Sequence, residues 1–425
     1  MRFVLANWGS RGEVEPFAVL GRELVRRGHD VSLVVAPDLV DFARSAGPAA
    51  VAYGPTVQSI IDPHQDYFKL LFSKPWRARE LRRLVREFSA PIDECRESAG
   101  QTLLGLAGGT DLLLTGMNYE GIAANVAEAC GIPFATLQHF PLRANGRLLP
   151  FLPPRLGRLV MTGSEWLTWL GHRVNDDAQR EALGLPKSRG HWTRRIAESG
   201  AMEIQAYDAV CFPGLGQEWA HWNDQSPPLR PFVGALTLEM PADADDEVAS
   251  WIAGGTPPIF FGFGSMPIDP AGDTIAMIAR ACAQLGERAL IGAGTNDFSN
   301  VPQFDHVKVV GTINYAQVFP TCRAIVHHGG SGTTNAGLRS GRPTMILWML
   351  PDQTFWAGRL KRLKVGTGRR FLATTERTLV ADLRKILAPD YAARASSLAA
   401  QMTKPADSVA ATADLVEKFA ISRRG

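Results

Sequence analysis

Apolar residues recur along this chain in two alternating rhythms. Short unbroken runs of Val, Leu, Ile and Phe read as buried strands. The stretches between them carry apolar residues three and four apart and read as helices. Phe3 to Ala6 is an extended apolar run, Gly9-Ser10-Arg11-Gly12 is a loop, and Phe17, Leu20, Gly21 and Leu24 share one helical face. Arg26 and Arg27 fill the last turn, Gly28 stops the helix, and Val31 to Ala36 gives a second strand. The pattern returns after Pro258. Ile259-Phe260-Phe261 predicts a strand and Gly262-Phe263-Gly264-Ser265-Met266 a loop. Ile275, Ile278, Ala279 and Cys282 then form a stripe, Gly286 ends it, and Ala289-Leu290-Ile291 is the next strand. Strand–helix alternation predicts parallel sheets covered on both faces. Two such openings predict an α/β chain of two Rossmann-like, doubly wound domains facing a central cleft.

The expected boundaries follow from breaks in that rhythm. Residues 1–225 read as an N-terminal domain and 226–257 as a linker. Residues 258–405 read as a C-terminal domain, and 406–425 as a helix packing back toward the N-terminal domain. Pro227, Pro228, Pro231 and Pro241 and the acid run Asp243 to Glu247 mark the linker. Val409, Ala413, Val416 and Ala420 give the final helix its stripe.

Composition narrows the classes. A chain of 425 residues, 45% hydrophobic and 20% charged, has material for two cores. Its net charge of +3 does not predict a nucleic-acid partner. Cys95, Cys130, Cys211, Cys282 and Cys322 are scattered and contain no CxxC pair, so neither a disulfide framework nor a zinc site is expected. Free thiols and the lack of a run of about 18 apolar residues point to a cytoplasmic protein. Asp243-Ala244-Asp245 could hold a divalent cation, but acids at a helix start explain it as well. No metal and no cofactor are expected.

The chemistry concentrates after one strand. Ala324 to His327 runs into His328-Gly329-Gly330-Ser331-Gly332-Thr333-Thr334. A helix start has unpaired N–H groups and a positive dipole end, and glycines let an anion come close. Ser331 and Thr333 add hydroxyls, and His328 adds a ring donor. This is a phosphate cradle. It lacks the Gly-Lys-Ser/Thr of a Walker loop and the spacing of G-x-G-x-x-G. The next strand, Thr344 to Met349, ends near Asp352 and Gln353, whose polar groups suit the hydroxyls of a sugar. Asp352 also lies 20 residues beyond Gly332, as a dinucleotide enzyme would place its acid, but the glycine pattern favours the sugar.

At these residues the sequence resembles the inverting, two-domain nucleotide-sugar glycosyltransferases of GT-B fold, which include sterol and antibiotic glycosyltransferases. His327 to Thr334, Gly341-Arg342-Pro343, Asp352-Gln353 and Gly9-Ser10-Arg11-Gly12-Glu13-Val14-Glu15-Pro16 carry that resemblance. It implies that His328, Gly330, Ser331, Gly332 and Thr333 hold the donor diphosphate, and that Asp352 and Gln353 hold the hexose. It also implies that Ser10, Arg11, Gly12, Ser265 and the loop at Ile313 lie by the donor. Arg143 to Pro153, Glu203 to Asp208 and Phe232 to Leu238 further resemble mycobacterial enzymes that glycosylate glycopeptidolipids and phenolic glycolipids. That implies a dTDP- or UDP-activated hexose or deoxyhexose, rhamnose above all, and a lipid-linked acceptor.

The family loop reads Gly-Ser-Arg-Gly-Asp, and the Asp is its usual base. Here the position is Glu13. The extra methylene moves the carboxylate by about 1 Å, a shift able to cost on the order of a hundredfold in rate. Glu13 and Glu15 could instead serve only the positive end of the helix. His139 and Glu120 are other candidate bases. His139 and Trp166 are candidate acceptor contacts, and Trp169 lies beside the latter. Lys69 to Arg86 holds seven bases against Glu80 alone, 7 − 1 = +6, with aromatics interleaved. Such a segment suits either an anionic membrane surface, met through residues 64–90, or a solvated face. Two alternatives to transfer stand beside this reading. One is a sugar-nucleotide epimerase of the same fold. The other is a catalytically weak sugar-nucleotide-binding module, motivated by Glu13.

Overall fold

The computed structural model describes residues 1–423, apart from 75, 150, 239–241, 243, 265, 267, 269, 295, 297, 299 and 300. It divides into two compact units. Unit 1 comprises Met1–Leu238 with Thr403–Gly425, and unit 2 comprises Glu239–Met402. Unit 1 holds strands β1 (Arg2–Ala6), β2 (Asp30–Val35), β3 (Ala49–Ala52), β4 (Leu112–Thr115), β5 (Phe134–Gln138) and β6 (Met202–Gln205). Unit 2 holds β7 (Ile259–Gly262), β8 (Ala289–Gly292), β9 (Val307–Val310), β10 (Ala324–His327), β11 (Thr344–Trp348) and β12 (Gly366–Arg370).

The two sheets share one topology. Their orders are β3-β2-β1-β4-β5-β6 and β9-β8-β7-β10-β11-β12, with every pairing parallel. The chain steps outward from the first strand, then crosses back to lay the fourth on its other side. Open sheets of this kind bind ligands at the carboxyl ends of the two strands flanking that reversal. In unit 1 these are β1 and β4, and in unit 2 they are β7 and β10.

Period-two alternation builds two cores on each sheet. Phe3 and Leu5 face one cluster with Phe17, Leu20 and Leu33, whereas Val4 and Ala6 face another with Leu113, Ile122 and Val126. In unit 2, Ile259 and Phe261 join Ile291 and Val326, while Phe260 joins Leu290 and Ile325 on the opposite face. Burial on both sides explains why these strands read as unbroken apolar runs.

The stretch 226–257, expected as a linker, is divided between the units. Leu229, Val233 and Leu236 belong to the core of unit 1, and Val248 and Ile252 to that of unit 2. The helix Pro405–Ser422 closes unit 1. Ala413, Val416, Phe419 and Ala420 enter its core, and Arg27 bonds Asp414 at 2.6 Å and Glu417 at 2.8 Å. Asp243 lies outside the described residues. Asp245 accepts the Ala242 N–H and the Asn314 N–H, each at 2.8 Å, so it ties the Ile313 loop to the helix Asp245–Ala253. All five cysteines are free thiols. Among the described residues, no helix is long and apolar enough to cross a membrane.

Candidate active site

Unit 1 gathers a carboxylate at its reversal point. Ser10 caps the helix Arg11–Arg26, and Glu13 occupies the third helical position. The Ser10 N–H donates to Glu13 Oε2 at 2.8 Å, which satisfies one orphan donor of the helix start. The Asn118 side-chain amide, beyond β4, donates to Glu13 Oε1 at 3.1 Å and to the Trp8 carbonyl at 2.9 Å. Asn7 Nδ2 donates to the Glu13 carbonyl at 2.6 Å. Gly9 makes the fold-over possible: its φ is +152°, and a Cβ there would lie 2.3 Å from Glu13 Oε2. Glu13 is thus fixed by both strands of the reversal. The Ser10 N–H and the Asn118 amide thus each hold one of its two carboxylate oxygens.

The neighbours have distinct duties. Glu15 accepts the Leu238 N–H at 2.9 Å, and desolvation raises its pKa. Arg11 and Gly12 are exposed, and the Arg11 guanidinium lies 4.7 Å above the Phe42 ring. His139 follows β5, is buried, and meets Phe17 edge-on at 6.5 Å. Burial lowers its pKa to about 4, so it is neutral at pH 7. Glu120 is occupied: Arg143 binds it at 2.5 and 3.0 Å, Gln138 at 3.1 Å and Trp192 at 3.2 Å. That leaves it no access to an acceptor hydroxyl.

Arg143 also reaches Glu203, and Arg230 Nε donates to Glu203 at 2.9 Å. Arg143, Glu120, Glu203 and Arg230 are all buried. The paired arginines hold Glu203 below the usual carboxylate range despite its desolvation. The motifs around Arg143, Glu203 and Phe232 therefore meet as a buried charge network that secures the segments after β5 and β6. Breaking such a pair on one side leaves an uncompensated buried charge.

Two acceptor-side expectations separate in space. Trp166 is 55% exposed on the helix Pro154–Ala182, whereas Trp169 donates to Ser188 Oγ at 3.2 Å. The 64–90 segment spans parts of two helices, Gln58–Ser73 and Ala78–Glu94. Phe68 and Phe88 pack edge-on around His64 at 4.9 and 5.2 Å, and Leu84 is buried. Arg79, Arg82, Arg83 and Arg86 face outward.

Unit 2 gathers an anion cradle at its reversal point. Ser265 lies outside the described residues. Gly329 has φ +103°, which turns the chain from β10 into the helix Ser331–Arg339. The His328 ring fills a slot between two glycines. A Cβ on Gly264 would meet its Cε1 at 2.6 Å, and one on Gly330 would meet its Nε2 at 2.6 Å. Burial takes the His328 pKa to about 4, so the neutral ring offers one N–H. Gly330, Ser331, Gly332 and Thr333 are all half-exposed, and the first turn carries no acid. Thr334 is turned inward, its hydroxyl donating to the Gly330 carbonyl at 2.8 Å.

The hexose side is built unequally. Asp352 is exposed in the first turn of the helix Pro351–Leu363. Gln353 is buried, and its Oε1 accepts the Met349 N–H at 2.7 Å and the Leu350 N–H at 3.0 Å. Gln353 also lies under Gly329, where a Cβ would sit 2.9 Å from its own Cβ. Its carbonyl oxygen thus serves the helix start, while its Cβ and Cγ lie against Gly329. Ile313 is buried in the core with Phe319 and Ile325. A cavity of about 510 Å³, lined in part by Gly131, Ile196 and Phe419, opens where β5 and β6 begin, away from either reversal point. Strand polarity, rather than concavity, selects the site.

Each of the two doubly wound units thus has its own feature at its reversal point, a fixed carboxylate in unit 1 and an acid-free helix start in unit 2. The chain belongs to the glycosyltransferase family. It is 53% identical to an uncharacterized glycosyltransferase of Mycobacterium tuberculosis over 422 residues, 99% of both chains. It is 28% identical to the vancomycin aglycone glucosyltransferase of Amycolatopsis orientalis, over 97% of this chain and 96% of that one. Residues 289–417 match the family described as erythromycin biosynthesis protein CIII-like, C-terminal domain. Among solved structures, the kitacinnamycin glycotransferase matches with TM-score 0.69 at 18% identity, covering 98% of each chain. Glycosyltransferase VinC in complex with dTDP matches with TM-score 0.62 at 18% identity, covering 99% of each. These likenesses establish the GT-B fold.

Proposed function

We propose that this glycosyltransferase moves a hexose or deoxyhexose, rhamnose foremost, from a dTDP- or UDP-sugar to a hydroxyl of a lipid-linked acceptor, with inversion. The carrying observation is the His328 slot opening onto an acid-free helix start, a ready site for a diphosphate. Ser331, Gly332 and Thr333 present backbone N–H groups there, and His328 adds its ring N–H. These fixed donors stabilise the leaving diphosphate without a metal or cofactor. Ser10, Arg11, Gly12, Ser265 and Ile313 complete the donor surroundings in this reading, and Asp352 takes the sugar hydroxyls. His139 and Trp166 stand on the acceptor side, and the protein works in the cytoplasm.

Glu13 is the base. Its carboxylate takes the proton of the acceptor hydroxyl as that oxygen attacks the anomeric carbon opposite the diphosphate. The C–O bond to the diphosphate breaks with its electron pair on the leaving oxygen. Asn118 and the Ser10 N–H hold the carboxylate in place. The competing reading, Glu13 as a helix cap alone, rests on the same Ser10 bond. Steady-state transfer by Glu13→Gln separates the two. Loss of kcat with donor KM unchanged supports the base. Wild-type kcat would refute it.

A further inference from the structure

The helix Pro154–Ala182 is built inside out. Its inward face buries Gly157 and Met161 but is otherwise polar. Asp176 and Arg180 are buried, Arg195 binds Asp176 at 2.8 Å, and Arg180 binds Glu128 at 2.7 Å. Asn125 bonds both of them, and Glu165 accepts the Ala144 N–H at 3.3 Å. The outward face is apolar. Leu156, Leu159, Val160, Leu167, Leu170 and Val174 are 42% to 75% exposed, with Trp166 beside them. At the helical repeat they fall in a single stripe about 27 Å long. Surface helices ordinarily turn such a stripe to the core, and a contiguous exposed one marks a docking surface.

Charge selects the occupant. From Arg155 to Val174 the bases are Arg155, Arg158 and Arg173, and the single acid, Glu165, faces inward. Arg158 leans on Glu218 at 2.8 Å and Arg173 on Asp177 at 4.0 Å, so the stripe itself is near neutral. The neighbouring helix carries Arg79, Arg82, Arg83 and Arg86 against Glu80, Glu87, Asp93 and Glu94, and Glu80, Glu87 and Asp93 are paired with Arg77, Arg83 and Arg96. Asn175 bonds Asp93 at 3.3 Å, which joins this helix to Ala78–Glu94. There Arg79, Arg82 and Arg86 are exposed and make no ion pair among the described residues. A second copy would bring the same arginine-rich surface and set like charge against like. An anionic headgroup layer matches both the apolar stripe and the flanking arginines.

We infer that the outward face of Pro154–Ala182, flanked by the arginines of Ala78–Glu94, docks on an anionic lipid bilayer and lies in its interface. The inference stands on unit 1 alone and needs neither donor nor acceptor, so it can fail or succeed independently of the transfer reading. The test is flotation of the full chain with phosphatidylcholine vesicles, with and without phosphatidylglycerol. The wild type is expected to float with the mixed vesicles at least about tenfold better than with phosphatidylcholine alone. Leu159→Ser, Leu167→Ser and Val174→Ser combined should reduce flotation about tenfold or more with an unchanged thermal midpoint, since all three are exposed. Arg79→Glu, Arg82→Glu and Arg86→Glu combined should remove the preference for anionic lipid. A wild type that stays unbound, or a triple-Ser variant that floats as well as the wild type, overturns the proposal. So does a dimer that the triple-Ser variant converts to monomer without altering flotation.

Discussion

The helix that follows the fourth strand starts differently in the two units. After β4, the helix Glu120–Cys130 begins with its own carboxylate, buried and bound by Arg143 and Trp192. After β10, the helix Ser331–Arg339 begins Ser-Gly-Thr-Thr, acid-free and half-exposed. The topological position is the same, but the electrostatics are opposed. One positive helix end is already neutralised from within, and the other is left for an anion from outside. Unit 1 instead holds Glu13, the proposed base, one strand away on the helix after β1, where Asn118 and Ser10 steady it. Similar folds therefore divide the labour through which helix start carries an acid.

The largest expected effect lies on the unit 1 side. Glu13→Gln should lower kcat by about a hundredfold to ten-thousandfold, while Glu13→Asp, which keeps a carboxylate but moves it by about 1 Å, should lose less. A matched loss in both variants would show that the position of the carboxylate matters as much as its presence. Next comes a direct copy of the unit 1 solution into unit 2. Ser331→Asp supplies an internal anion at the cradle, so affinity for dTDP should fall more than tenfold in calorimetry while the fold stays intact. A smaller effect follows from Gly330→Ala. Its Cβ would need the space of His328 Nε2, which displaces the ring and should weaken dTDP binding about tenfold.

The smallest effect is shared by both units. His139 and His328 have pKa values pressed to about 4 by burial, against about 6.5 when unfolded. A depressed folded pKa contributes stability that is complete above the unfolded value and is lost as the pH falls through the folded one. The unfolding free energy from urea titrations should therefore decline below pH 6.5, by about 1 kcal/mol per buried histidine between pH 6.5 and 5.5. His139→Asn should flatten that slope. An unchanged slope would mean that His139 titrates alike in both states.

Much of this was legible in the sequence because its signals are local. Strand runs, glycine loops and the Ser331 helix start all lie within about ten residues of one another, and the strand–helix alternation carries the topology. What the sequence hides is long-range pairing. Asn118 reaches Glu13 across 105 positions, and Arg143 joins Glu203 and Arg230 only once β5 and β6 lie side by side. Gln353 read as a sugar ligand because its neighbour Asp352 did, yet its oxygen is taken by two backbone N–H groups that only the turn geometry supplies. The outward apolar stripe of Pro154–Ala182 has ordinary helical spacing, so periodicity alone assigns it to a core.

The division of labour is tested most directly by titrating dTDP into two variants side by side, Ser331→Asp and Glu13→Gln. The account predicts that Ser331→Asp loses binding by more than tenfold while Glu13→Gln binds as the wild type does. Equal weakening of both, or full binding by Ser331→Asp, would contradict it.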